Sequence, residues 1–349
     1  MPAPRLHVAP RVLAMAHESA DSSSRSASHD PARQNDRGRQ ADAPGDVPSR
    51  GWLDILTRTK EELARDNLSI VAAGVAFYSF LAFVPALGAV IALYALISDP
   101  VQVSRHIESL AGIMPGEILP LLREQMTRLA EENKAAGVSA ILSIVLAIYG
   151  SSKAATALIQ GLNITYDEEE KRGFFKIQGV ALMLTLCAVI GAIVAIFLVT
   201  ILPVALQFLH LPRGTETLAS WLRWPILVGG FMFALAVLYR YAPSRDEPQW
   251  KWVSWGAGVA TGLWVLGSAA FSLYVSTIGN YDKTYGSLGT LVVFLFWLFL
   301  TAFVVLIGAE LNSEMERQTA KDTTKGPSKP MGSRRAHSAD TLGPARREK

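Results

Sequence analysis

A single cysteine, Cys187, in 349 residues rules out an intramolecular disulfide, a CxxC redox pair and a cysteine zinc cage. It lies in an apolar run, where a buried, unreactive thiol is expected. Histidine is scarce as well. His7, His17, His29, His106, His210 and His337 are scattered, and none stands in an HxH or HExxH spacing that could hold a metal. No GxxxxGKS/T loop offers a seat for nucleotide phosphates, and no GxSxG elbow offers a hydrolase nucleophile. A nuclease needs clustered metal ligands or an acid–base pair, with a basic groove for the backbone. None of that set can be read in the chain, so a non-enzyme without cofactor or metal is expected, with nucleic acid not a partner.

What is present is apolar length. Half of the residues are hydrophobic, although both ends are strongly polar, so the apolar residues concentrate between those ends. Six runs stand out: 68–97, 138–163, 177–211, 218–241, 253–278 and 288–311. The last carries one charge, Glu310, and no proline. At about 1.5 Å per residue it spans roughly 36 Å, enough to cross a ~30 Å hydrocarbon core with tilt. Backbone groups cannot go unpaired in lipid, so such runs must be helices. None shows the strict alternation of a membrane β-barrel. The expected fold is all-α, a polytopic membrane protein with six transmembrane helices. Pro85 and Pro203 predict kinks in the first and third helices.

The remaining segments frame this bundle. Residues 1–50 and 312–349 lack a sustained apolar period and are expected to be disordered, the second tail being basic and able to touch anionic lipid. Residues 51–67 read as an interfacial amphipathic helix, with Trp52, Ile55, Leu56 and Leu63 toward lipid and Arg58, Lys60 and Arg65 toward headgroups. Short-loop charge sets the orientation. Lys171, Arg172 and Lys176 follow the second run, and Arg240, Arg245 and Lys251 follow the fourth; Arg317, Lys321 and Lys325 follow the sixth. The opposite short loops hold only Arg213 and Lys283. Both termini are therefore expected in the cytoplasm. An outer loop at 98–137 repeats Ile118, Leu122, Met126 and Leu129 at helical spacing and reads as an amphipathic helix on the outer face.

Four stretches carry a family resemblance. They are DNLSIVAAGVAFYSFLAFVPAL at 66–87, ALIQGLNITYDEEEKRGFFK at 157–176, LYRYAPSRDEPQWKWVSWGAG at 238–258, and LYVSTIGNYDKTYGSLG at 273–289 with GAELN at 308–312. The chain resembles the YihY/virulence factor BrkB family, once labelled ribonuclease BN, over about 66–316. The resemblance implies a bacterial inner-membrane protein of six helices with both termini inside.

The residues that could carry function are few. Lys153 falls close to the midpoint of the second run, where an unpaired lysine costs about 2.5–3.5 kcal/mol on insertion scales. With Ser151, Ser152 and Asn163 it reads as a polar substrate path inside the bundle, the second helix being interrupted there; the plain alternative is a lysine that snorkels to the headgroups, or a helix that breaks near Gly150. Asn280, Tyr281, Asp282, Tyr285 and Ser287 form an outer turn that could gate such a path or simply join two helices. Ser254, Gly258 and Gly262 make a small-residue face for helix packing. Glu310 is placed to cap a neighbouring helix or pair with Arg240. The leading expectation is transport or export of a small solute or lipid, with membrane lipids as partners. The rival is a non-transporting envelope scaffold, and a ribonuclease is the remote third.

Overall fold

In the computed structural model, the described residues are 36–97, 136–201, 213–278 and 288–346. Among them the chain is helical without strands. We label the helices α1 (Ser49–Arg65), α2 (Leu68–Ile97), α3 (Ala136–Thr165), α4 (Phe174–Ile196), α5 (Arg213–Tyr241), α6 (Trp250–Ile278), α7 (Leu288–Glu316) and the short α8 (His337–Asp340). A π-turn at Phe197–Ile201 extends α4. Four spans are long and apolar enough to cross a membrane: Phe174–Val199, Trp221–Tyr241, Trp250–Thr277 and Leu291–Glu316. The bent pair α1 and α2 makes a fifth if counted as one span. The expected outer loop and the 280–287 turn, with Pro203, lie outside the described residues.

α7 is the axis of the bundle. It packs against α1, α2, α3 and α6, while α5 packs on α6 and α4 leans on α3. α2 and α3 form the longest antiparallel contact. Water does not drive helices together in lipid, so close approach through small residues has to. Gly150 of α3 meets the backbone of Ala82 in α2, and Gly161 sits under Val71 and Leu306. The helix therefore runs unbroken through 150–153; the expected break near Gly150 is a packing site instead.

The small-residue seam of α6 is also offset from the expected one. A Cβ on Gly256 would collide with Asn312 and the Gly308 carbonyl of α7, and one on Gly308 would collide with Tyr239 and Ala260. Gly262 has open space, Gly258 makes only ordinary contact with Met232, and Ser254 bonds its own helix at Trp250. Spacing alone shows a stripe but not the phase at which the neighbour arrives.

Two other expectations change. α1 does not lie on lipid by its Ile55 face: Ile55 is fully buried with Trp252, Leu311 and Met315, and Arg58 is buried beside Glu314. Leu53 and Leu56 remain exposed. Asn67, with a left-handed φ of 50°, ends α1 and turns the chain into α2 at 63°. The second tail is not disordered. Residues 317–346 fold with residues 36–47 into a cap over the end of the bundle that bears both described termini. Gln318, Thr323 and Ser338 are fully buried there, and the Ala320 amide donates to the Arg39 carbonyl at 2.8 Å.

Gly256→Ala or Gly308→Ala is expected to destabilise the detergent-solubilised protein by about 1–3 kcal/mol through overpacking. Gly262→Ala is expected to be neutral or stabilising by up to ~1 kcal/mol. Thermal unfolding followed by circular dichroism measures both; equal effects at 256 and 262 would contradict the seam.

Candidate functional site

The expected path residues do not converge. Successive residues on a helix point about 100° apart, so Ser151, Ser152 and Lys153 must face three directions. Ser151 is half-buried, and Ser152 Oγ donates to Gln178 Oε1 of α4 at 2.5 Å. Lys153 points outward, on the side opposite the buried Ile159 and Leu162. It shares that side with the exposed Leu142, Leu146, Tyr149 and Gln160, and its ammonium sits 5.4 Å from the Tyr149 ring. Among the described residues it has no acidic partner. Cys187, expected to be buried, is exposed on α4, whose Leu186, Ile190 and Ile193 are exposed as well.

Asn163 belongs to a different place, a polar knot where three of the motif stretches meet. Its Oδ1 accepts the Ser244 amide at 2.8 Å, and its Nδ2 donates to Glu170 at 2.9 Å. Arg172 clamps the same Glu170 at 2.7 Å and donates to the Ala242 carbonyl. Burial works against the Glu170 charge, but the bonds from Arg172 and Asn163 outweigh it and hold the carboxyl down at about 2. Nearby, Asn312 accepts the Gly256 amide at 2.9 Å, which ties the GAELN end of α7 to the seam of α6.

The last turns of α7 supply the charges of the knot. Glu314, fully buried, pairs with Arg58 and takes Arg317 at 2.6 Å. Glu316 takes Arg245 at 2.5 Å and the Thr323 hydroxyl at 2.6 Å. Arg245 stacks on the Tyr166 ring at 4.9 Å. Tyr166 lies beside the Asn312 amide without reaching hydrogen-bond geometry, and burial followed by the Glu316 charge pushes its phenol well above the ordinary value. Glu310 is buried with Oε2 unpartnered. The Arg240 that could have met it bonds Glu247 and the Pro248 carbonyl instead.

Asn163 was legible as polar, but its partners Ser244 and Glu170, and the Arg172 that holds Glu170, were visible only as loop residues. Gln178 and Gln160 carried no signal beyond being amides in apolar surroundings. The expected gate, Asn280, Tyr281, Asp282, Tyr285 and Ser287, lies outside the described residues. No group of three or more His, Cys, Asp or Glu that could hold a metal occurs among the described residues.

At the α1–α2 joint, burial, with the like charges of Asp167 and Glu62, raises the Asp66 carboxyl from 3.8 to about 6. A raised folded-state value favours the fold when the group is protonated; that contribution is complete below the unfolded value and lost as pH rises through about 6. Asp66→Asn is therefore expected to raise the thermal midpoint at about pH 7.5 and leave it unchanged near pH 4. A shift of equal size at both pH values would contradict this reading.

Comparison with known proteins fits this picture of apolar helices and a polar end. A putative ribonuclease-like protein, YfkH, of Bacillus subtilis is 27% identical over 251 residues, 71% of this chain and 90% of that protein. A UPF0761 membrane protein of Verminephrobacter eiseniae is 22% identical over 291 residues, 81% of this chain and 67% of that one. A UPF0761 membrane protein of Haemophilus influenzae is 34% identical over 107 residues, 31% of this chain and 38% of its own length. No solved structure matches. The family model described as virulence factor BrkB matches residues 59–332, and the chain is a membrane protein that belongs to that family.

Proposed function

We infer that this protein handles lipid in the bacterial inner membrane, passing a phospholipid headgroup along the outer face of α3. Both termini lie in the cytoplasm in this reading, and six helices span, α2 and α3 completing the set. Support for the orientation comes from Lys171, Arg172, Arg240, Arg245, Arg317 and Lys321 gathering at one end.

One observation carries the lipid reading: Lys153 faces outward on α3, which puts it at membrane depth if α3 spans as this reading has it. It lies about 18 Å along the axis from the helix end at Thr165. A lysine there, with only a ring contact to Tyr149, is costly unless an anion meets it. Gln160, seven residues on, lies on the same side nearer the cytoplasm and offers a second polar stop. Ser152 and Gln178 hold the α3–α4 seam beside it. A solute path inside the bundle, which needed Lys153 and its serines to point inward together, loses its residues. The scaffold alternative keeps one supporting feature, the folded cap, which offers partners a firm surface.

The chain is read as a non-enzyme, and the ribonuclease-like name stays with its Bacillus relative. Metal-dependent RNA cleavage by purified protein, lost on histidine substitution, would reverse that.

The direct test is transfer of a fluorescent anionic phospholipid between leaflets of proteoliposomes, read by dithionite quenching. Lys153→Leu is expected to slow transfer at least about tenfold, equivalent to ~1.4 kcal/mol, and Lys153→Arg to retain it. No transfer by the wild type, or equal rates for wild type and Lys153→Leu, would overturn the proposal.

A further inference from the structure

At the polar end, between the start of α6 and residues 320–334 of the cap, lies a cavity of about 480 Å³. That is the size of a small-molecule site. Lys251, Lys321, Lys329 and Arg334 face it, opposed by Asp42 and Asp322, with Trp252 forming one wall. The acidic residues are occupied. Asp322 accepts from the Thr324 amide and hydroxyl and from the Lys329 amide at 2.7–2.9 Å. Asp42 is held by Lys321 at 2.6 Å on the surface.

The basic residues are unequal, and the difference gives the cavity its chemistry. The Arg334 guanidinium is consumed by the carbonyls of Lys329, Lys321, Ala339 and Ala320. It shapes the loop and leaves its positive charge in the wall. Lys321 and Lys329 are engaged only in exposed or half-exposed pairs, with Asp42 and with Asp246 at 2.8 Å. Such pairs hold by about 0–1 kcal/mol, so a stronger anion can take the ammonium groups. Lys251 is exposed and makes no hydrogen bond or ion pair among the described residues. It stands in the first turn of the long α6, whose end carries partial positive charge.

We propose that this cavity binds a phosphate monoester through Lys251, Lys321 and Lys329. Lysines serve as point charges for phosphate, and with Asp42, Asp246 and Asp322 set against Lys321, Lys329 and Arg334, the charge of Lys251 is left over for an anion. Trp250 and Trp255, 42% and 46% exposed on the same end of α6, are the residue type that sits at headgroup level. Two sources share this chemistry, a lipid headgroup and a soluble phosphate ester. The site is separate from Lys153 and stands without it.

Calorimetric titration of the full-length protein in detergent distinguishes them. The probes are dioctanoyl phosphatidic acid, glycerol 3-phosphate and, as control, dioctanoyl phosphatidylcholine. Saturable binding of phosphatidic acid alone assigns the headgroup, and equal binding of glycerol 3-phosphate assigns a soluble ester. In either case Lys251→Gln is expected to weaken binding at least about tenfold, with Lys251→Arg retaining it and both variants keeping the wild-type Tm. Lys329→Gln provides a second, independent loss. No binding of either phosphate, binding indifferent to both glutamine variants, or equal binding of phosphatidylcholine would overturn the site.

Discussion

The bundle depends on the last two turns of α7, which carry Glu310, Asn312, Ser313, Glu314 and Glu316 into a buried setting, with Gln318 buried just beyond them. A helix end leaves its final carbonyls without intrahelical donors, and buried carboxylates add charge that water cannot reach. Removing one member of a buried ion pair costs about 3–5 kcal/mol, so Glu314 and Glu316 depend on their arginines. Arg58 comes from α1, Arg245 from the α5–α6 turn, and Arg39 reaches the Arg317 and Gln318 carbonyls from before α1. Each donor drags its own segment onto the same end. This is why α1 is tucked in and why residues 317–346 fold.

The same requirement separates what was legible in the sequence from what was not. Helices at 68–97, 253–278 and 288–311 follow from the length of their apolar runs, which the structure extends by a turn or less at most ends. The motif stretches pointed to the family and, without showing it, to the residues of the polar knot. The cap was hidden because its order comes from hydrogen bonds rather than an apolar period. Arg334 holds four carbonyls and Thr319 reaches the Ala41 carbonyl at 2.8 Å, and composition cannot tell such a segment from a disordered one. Helix phase was hidden for a related reason. Whether Lys153 points in or out, or whether Gly256 or Gly258 meets α7, depends on where the neighbour lies, and one helix's sequence does not contain its neighbour.

The outward Lys153 and the basic cavity place cationic groups at two heights of one molecule, one about 18 Å from the end of α3 and one at the polar end. Exposed apolar side chains along α4, such as Leu182, Leu186 and Ile193, lie on the surface beside the first of them, and the proposed lipid would set its acyl chains there. The proposed lipid ligand would offer both an anion and an apolar tail at once.

The most direct test of the dependence on α7 is hydrogen exchange in the C-terminal segment, followed by mass spectrometry on the detergent-solubilised full chain. Bonds such as Ala320 to Arg39, Lys325 to Glu247 and Gly343 to Arg317 require protection of peptides across 317–346, lost together in Arg58→Met. Exchange of that segment at the rate of an unstructured chain in the wild type would show the cap to be absent and would leave the buried charges of α7 unexplained.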